Sequence, residues 1–379
     1  MEKIQSCLIT ACINRNLVAG KDITLLLKEC GIHEFNLVSS RNAFLQERSG
    51  FLGHLLPGRA MVSHLSDVIS FLVDPAETLA AMAVLAREFN LTLPGNGSVF
   101  SETISIIGNN DLFTHNHPIP IPNGTTLPAF QNELTAICCI VQRGEGEPIA
   151  RTVLQSGIGS PITAFGAGTG LRDKVGLLRI TIPAEKEILL LLTDNYEAEQ
   201  AFNVLIDAGK LDQPGKGFIY LYPIGQGLID PKVSEGVSLH AASIDQIIFA
   251  LDEVKGGTQW RRKDIHAQGA GRDERKCLLN LLDLTFQCNE GRADDLVAAA
   301  MAAGAAGATL SRLKYVGEGS LKAGKASPAR EMGSMIIGEQ QVDGIAQALE
   351  KTGLFDAQTQ GQIRIKKVTK ACTYLGKAS

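Results

Sequence analysis

An internal repeat constrains this chain more than any other feature of its sequence. Three stretches of the 379 residues show the same order of patterns. Each has an apolar run, a helical pattern, two apolar runs separated by a long polar loop, a second helical pattern and a last apolar run. If the apolar runs are strands, the order is β-α-β-β-α-β in every stretch. The chain is therefore predicted to be α+β, with three tandem copies of one unit.

The middle copy shows the pattern most clearly. Its strands are predicted at Ala136–Gln142, Ile162–Phe165, Glu187–Thr193 and Phe218–Tyr222. A first helix starts near Pro148 and stops before Gly157, and a second covers about 196–208. Between the second and third strands, residues 166–184 are predicted to form a long loop rich in glycine and charge.

The copies are predicted at residues 1–110, 133–227 and 276–379, with connectors at 111–132 and 228–275. A β-α-β-β-α-β unit folds as a four-stranded antiparallel sheet with two helices on one face, which is the ferredoxin-like arrangement. The second connector is too long for a bare loop. Helical spacing of isoleucine and leucine predicts an extra helix over Ser243–Glu253 within it.

Composition and charge exclude several classes of protein. The net charge is −4 and aromatic residues make up 5% of the chain, which argues against a nucleic-acid partner. The eight cysteines include no C-x-x-C pair, so neither a disulfide framework nor a zinc site is predicted. His115 and His117 have no third ligand near them in sequence, so no metal is expected there.

No targeting segment or membrane-spanning helix is predicted, and the cytoplasm is the expected compartment. The longest apolar stretch, Leu296–Leu310, is shorter than the roughly 20 residues that a spanning helix needs. No nucleophile, base and acid stand in a catalytic pattern, so the chain is not expected to be an enzyme.

Two glycine-rich segments of the middle copy are the candidate sites. One is Phe165-Gly166-Ala167-Gly168-Thr169-Gly170, followed by Arg172 and Lys174, and the other is Pro214-Gly215-Lys216-Gly217. Glycines let backbone N–H groups converge on an anion, and the neighbouring cations and hydroxyl add donors. Neither segment fits the Walker A or Rossmann fingerprint, and simple flexible turns remain the alternative.

The middle copy resembles the P-II nitrogen-regulatory signalling family over about residues 134–225. The segments that match are FGAGTG at 165–170, IPAEKEILLLL at 182–192 and KLDQPGKGFIYLYPI at 210–224. In that family they are the base of the T-loop, the strand after it and the B-loop. P-II proteins are homotrimers that bind ATP, ADP and sometimes 2-oxoglutarate between subunits, and that dock the T-loop on enzymes, regulators or membrane transporters.

The resemblance implies a nucleotide site, with ATP or ADP as the expected ligand. Its residues would be Gly166, Gly168, Thr169, Arg172, Lys174, Gly215, Lys216 and Gly217. The chain departs from the family at Ala167, where GRGT members carry arginine, and at 225–227, where basic residues are missing. The middle loop has no tyrosine for uridylylation. The first copy keeps only the turn glycines Gly95 and Gly97, and the third keeps Gly361.

Three copies in one chain, set beside a trimeric family, predict a monomeric, single-chain pseudo-trimer with its sheets facing inward. In that arrangement Arg364, Lys366 and Lys367 of the third copy would supply the charge that the middle cleft lacks. The predicted function is non-catalytic regulation, in nitrogen metabolism or transport. The chain would sense a small-molecule effector and act on a protein, such as a membrane transporter, through its loops. The alternatives are a ligand-free interaction scaffold and a metal-tolerance trimer similar to CutA.

Overall fold

A computed structural model describes residues 3–18, 22–47, 59–108, 119, 127–169, 185–230, 234–235, 254, 275–317 and 326–375. Within these ranges the chain is mixed α and β, with more strand than helix, as predicted. The expected helix at 243–253, the two connector histidines, Arg172 and Lys174 lie outside the described residues.

The first copy contains β1 (Ile4–Asn14), α1 (Ile23–Glu29), β2 (Phe35–Glu47), β3 (Arg59–Val73), α2 (Thr78–Glu88) and β4 (Gly97–Gly108). The carboxylate of Asp22 caps α1 by accepting the N–H of Thr24. The sequence of this copy predicts a strand at Phe35–Ser39 followed by a loop to about Leu65. That prediction is wrong, because β2 and β3 pair as far as Glu47 and Arg59. This ribbon is extended because Ala43 and Leu45 pack against the middle copy.

The middle copy contains β5 (Leu134–Gln142), α3 (Gly146–Gln155), β6 (Ile162–Thr169), β7 (Glu185–Asp194), α4 (Asn195–Gly209) and β8 (Gly217–Ile224). Two short strands follow, β9 (Gly227–Leu228) and β10 (Ser234–Glu235). The one large difference from the prediction is β6, which continues through the glycines of the first candidate segment as far as Thr169.

The third copy contains β11 (Leu281–Asn289), α5 (Ala293–Ala302), β12 (Ala308–Val316), β13 (Ala329–Gly338), α6 (Val342–Lys351), β14 (Gln362–Val368) and β15 (Lys370–Thr373). In all three copies the first strand lies between the third and the last, giving the orders β2-β3-β1-β4, β6-β7-β5-β8 and β12-β13-β11-β14. In each copy the first strand pairs antiparallel with both of these neighbours. Each sheet has its own apolar core, which includes residues of the copy's two helices.

The second strands of the three copies join in a ring. The start of β2 pairs with the end of β12, the start of β12 with the end of β6, and the start of β6 with the middle of β2. Each second strand therefore has a partner in both other copies. This pattern closes on itself with no free second strand.

The last strands also pair in a cycle, but in the opposite order around the three copies. The end of β4 pairs with the start of β14, β15 pairs with the start of β8, and β9 pairs with the start of β4. The tail of each copy thus lies beside the last strand of another copy. Apolar side chains from all three copies, among them Cys12, Ala136 and Val368, form one further cluster between the sheets. The described part of the chain is consequently one interlocked sheet assembly.

Candidate functional site

The first candidate segment is a paired strand end rather than a loop. Ala167, Gly168 and Thr169 lie opposite Leu310, Thr309 and Ala308 of β12. A Cβ on Gly166 would lie 2.6 Å from the carbonyl oxygen of Leu310. Glycine is therefore required at 166 for the close approach of two backbones, and this packing explains the residue without a ligand.

The sequence analysis missed one residue beside this segment, Lys186. The side chain of Lys186 on β7 covers Gly168, and a Cβ added at Gly168 would lie 2.6 Å from its Cε. The hydroxyl of Thr169 donates to the carbonyl oxygen of Ala308 at 3.3 Å. The alternation of β7 is the sequence signal for Lys186, because Lys186, Ile188 and Leu190 lie on the same face of the sheet.

The second candidate segment, Pro214–Gly217, is called here the middle turn. Its glycines Gly215 and Gly217 have φ of +72° and +150°, the region that glycine adopts most readily. Gly215 is exposed, and its N–H has no hydrogen-bond acceptor among the described residues. The carbonyl oxygen of Gly215 accepts from Nε2 of Gln142 at 2.7 Å. The turn is thus held in shape, while the N–H of an exposed glycine has no acceptor among the described residues.

Lys216 of the middle turn forms an ion pair. Its Nζ lies 3.2 Å from Oε1 of Glu145, and the two side chains are 36% and 44% exposed. A pair in this setting contributes about 0–1 kcal/mol, because water screens both charges. The ammonium group can therefore exchange Glu145 for another anion at small cost.

The third copy reaches the middle turn. β15 pairs with β8, and the hydroxyl of Thr373 donates to the carbonyl oxygen of Gly217 at 3.0 Å. The two candidate segments, however, do not form one site by themselves. Gly166 faces Lys186 and Lys186 faces Gln142, so β7 and β5 lie between Gly166 and the middle turn. Three strand spacings amount to about 14 Å.

The prediction that Arg364 and Lys366 supply charge to the middle cleft is wrong. Nζ of Lys366 lies 2.6 Å from Oε1 of Glu102 and 3.8 Å from Oδ2 of Asp283. It also lies 3.5 Å from the ring centroid of Tyr222. Neighbouring carboxylates raise the pKa of Lys366 against the lowering effect of burial. The charge of Lys366 is therefore paired with buried carboxylates between the copies and does not reach the middle turn.

Arg364 is buried as well. Its Nε donates to Oε1 of Gln362 at 3.1 Å, and burial lowers its pKa to about 10. Of the three predicted cations, Lys367 alone is exposed. It lines a cavity of about 470 Å³ whose other walls include Lys3, Thr103, Gly225 and Leu282, so that all three copies contribute.

Glu102, Tyr222, Lys366 and Asp283 are called here the axial cluster. The first three each lie five residues beyond the last glycine of their turn, at Gly97, Gly217 and Gly361. Equivalent positions of the three copies thus carry an acid, an aromatic ring and a base, and they meet. Aligning the three last strands by their turn glycines is the sequence signal that finds this cluster.

In the part of the chain that the structure describes, no group of three His, Cys, Asp or Glu side chains is placed to hold a metal ion. All eight cysteines are free thiols. Among the described helices, none has the length and apolar character needed to cross a membrane.

Comparisons with known proteins give a structural likeness but no family or curated match. No protein-family model matches the chain, and no curated protein matches it. Among solved structures, the crystal structure of Arabidopsis thaliana PII bound to citrate is similar to this chain. The match covers 28% of this chain and 97% of the other, with 15% sequence identity and a TM-score of 0.21.

Proposed function

We propose that the chain is a non-catalytic regulatory protein of the P-II type, with three ferredoxin-like copies closed into a single-chain pseudo-trimer. Its ligand is the phosphate group of an adenine nucleotide, bound at the middle turn. The observation that carries the proposal is the exposed N–H of Gly215 beside Lys216, in a turn whose shape is fixed by Gln142. The adenine part of the ligand is inferred from the resemblance in sequence.

The chemistry of binding follows from the turn. A phosphate oxygen accepts the Gly215 N–H, and Lys216 leaves Glu145 to neutralise the second charge. Because the third copy lies beside this turn at Thr373, a bound nucleotide contacts a seam between two copies. Binding at a seam changes how firmly the copies are held together, which is how a ligand shifts a conformational equilibrium.

The signal would be passed to a partner protein through residues 170–184, between β6 and β7. A membrane transporter or a nitrogen-metabolism enzyme is the kind of partner that the resemblance implies. The third copy connects the middle turn to this segment, because β15 contacts the turn and β12 pairs with the last residues of β6.

One observation favours the second hypothesis, a ligand-free scaffold. Lys216 already has an anionic partner in Glu145, so the turn is electrically satisfied without a nucleotide. Under this hypothesis the ion pair is structural, and adenine nucleotides do not bind at all.

Isothermal titration with ATP, ADP and AMP separates the two hypotheses. A sensor gives saturable binding, which Lys216→Gln weakens about tenfold or more because a cation beside the phosphate is lost. Glu145→Gln strengthens binding, since Lys216 is released from its partner and a repulsive carboxylate is removed. Lys351→Gln, the same charge change on an exposed residue of α6, serves as the control and leaves affinity unchanged.

The two single variants move affinity in opposite directions only if the middle turn is the site. Equal affinity in wild type, Lys216→Gln and Glu145→Gln places any bound nucleotide elsewhere. Lack of binding by folded wild-type protein supports the scaffold. A nucleotide-dependent rise in Tm provides an independent check, because a ligand that binds the folded state stabilises it.

A further inference from the structure

The first copy has a turn equivalent to the middle turn, and the chain itself supplies an anion to it. This first turn is Leu93–Gly97, with φ of +91° at Gly95 and +133° at Gly97. The N–H of Gly95 donates to Oδ1 of Asp230 at 2.8 Å. Asp230 is 5% exposed and belongs to the tail of the middle copy.

Strand register brings Asp230 to this position. Gly227 and Leu228 of β9 lie opposite Phe100 and Val99 of β4, and the pairing runs antiparallel. Two residues further along, the tail must therefore meet the turn that precedes β4. A second bond fixes it there, since the N–H of Asp230 donates to Oγ of Ser98 at 2.8 Å.

The middle turn receives a different residue at the same register. Cys372 of β15 lies opposite Ile219, which follows Gly217 by two residues as Val99 follows Gly97. The residue that corresponds to Asp230 is therefore Tyr374, which is 44% exposed. An exposed phenol replaces a buried carboxylate, and the N–H of Gly215 is left without an acceptor among the described residues.

The third copy does not offer a comparable turn. Its last glycine, Gly361, lies against its own chain, and a Cβ there would meet the carbonyl oxygen of Leu354 at 2.2 Å. Nη2 of Arg330 donates to the carbonyl oxygen of Gln360, the residue before it. The segment is thus packed into the third copy rather than presented to a ligand.

We propose that the carboxylate of Asp230 occupies the oxyanion position of the first turn, so that this turn is closed to phosphate by the chain itself and fastens the middle copy to the first. Removing the carboxylate opens a second oxyanion site, which takes phosphate or pyrophosphate. One part of this inference rests on the proposed function, namely that nucleotide binds at the middle turn and not at the first turn.

The test follows the amide signals of Gly95 and Gly215 in ¹H–¹⁵N spectra of the full-length chain. In wild type the Gly95 amide is protected from hydrogen exchange, its proton shift lies downfield, and pyrophosphate does not move it. In Asp230→Ala the Gly95 signal shifts upfield, and pyrophosphate then moves it saturably. Asp230→Asn is the second variant if the alanine variant is poorly folded; it keeps an acceptor oxygen but removes the charge, so its Gly95 signal shifts upfield by less than in Asp230→Ala.

Each outcome bears on the proposal. A wild-type Gly95 amide that exchanges freely, or that responds to pyrophosphate, overturns it. So does an Asp230→Ala protein, folded by its dispersed spectrum, whose Gly95 signal ignores pyrophosphate. The Gly215 signal reports the proposed function separately: if it stays fixed while Gly95 of Asp230→Ala responds, the middle-turn proposal fails and the Asp230 inference stands.

Discussion

Replacing Lys366 by methionine tests whether the axial cluster holds the three copies together. Its Nζ is 2.6 Å from Glu102 and 3.8 Å from Asp283, and the side chains of the two acids are 5% and 4% exposed. Removing one partner of a buried pair typically costs about 3–5 kcal/mol, because the remaining charge keeps its desolvation penalty. Methionine preserves most of the apolar stem, so packing over Tyr222 changes little.

We therefore expect Lys366→Met to lower the free energy of unfolding by about 3–5 kcal/mol in urea denaturation followed by circular dichroism. The double variant Glu102→Gln/Lys366→Met should recover part of this loss, since no unpaired Glu102 carboxylate then remains. Asp283 keeps hydrogen bonds from Thr285 and Ser334 in both variants.

The pH dependence adds a second check. The folded-state pKa of Lys366 is raised, so its stabilisation is fully present below the unfolded value of about 10.4 and is lost as pH rises through the folded value. The difference between wild type and Lys366→Met should therefore be constant from pH 6 to 9. Lys367→Met, at the adjacent exposed residue, should stay within about 0.5 kcal/mol of wild type. A loss below 1 kcal/mol for Lys366→Met would refute the reasoning.

Three further predictions concern packing and burial. Gly166→Ala should destabilise the protein by about 1–3 kcal/mol, because the added Cβ clashes with a carbonyl oxygen of β12. Gly344→Ala should stabilise it by about 0.5–1 kcal/mol, because the new Cβ meets no other atom within 4 Å and alanine favours the helix α6. The midpoints of urea denaturation test both expectations. Burial raises the pKa of Cys12 and Cys288 from 9.0 to about 12, so the free energy of unfolding should fall as the pH rises from 9 to 12. Urea midpoints, measured with a reductant present, that do not change over this range would contradict the prediction. Arg330→Met should cost about 1–3 kcal/mol, because the carbonyl of the buried Gln360 loses its side-chain donor, and Arg330→Lys should restore only part of this loss; thermal melts measure both.

The order of elements was predictable because it depends on local patterns. Apolar runs of strand length and helical spacings identified all four core strands and both helices of every copy. Helix ends were found to within a few residues, since signals such as Asp22 and Gly157 act on their own neighbours. The mixed α and β architecture follows from these local signals alone.

The end of β6 was not predictable in the same way. A run of alternating glycines normally weakens a strand, and within the middle copy Gly168 and Thr169 extend past the pairing with β7. Their partners are Thr309 and Ala308, about 140 residues away in another copy. Pairing between copies supplies the hydrogen bonds that local propensity lacks, and one copy's sequence contains no sign of it.

The site residues divide along the same line. The shape of the middle turn was predictable, because Gly215 and Gly217 adopt the backbone angles that such glycines usually signal. The burial of the Lys366 side chain was not predictable, since a lysine near a strand end is usually exposed to solvent. Asp230 looked like a connector residue, and only the register of β9 against β4 places it at the first turn.

The axial cluster also bears on why three copies share one chain. Identical copies with glutamate or lysine at this position would bring three buried like charges together, and these would repel one another with no partner. Here Glu102, Tyr222 and Lys366 complement one another only when each copy takes its own place. Because the three copies are linked in one chain, every molecule contains one glutamate, one tyrosine and one lysine at these equivalent positions. It also lets the turns diverge, so that the first copy fixes Asp230 while the middle turn stays exposed. The same asymmetry that pairs the buried charges therefore gives the three turns different surroundings.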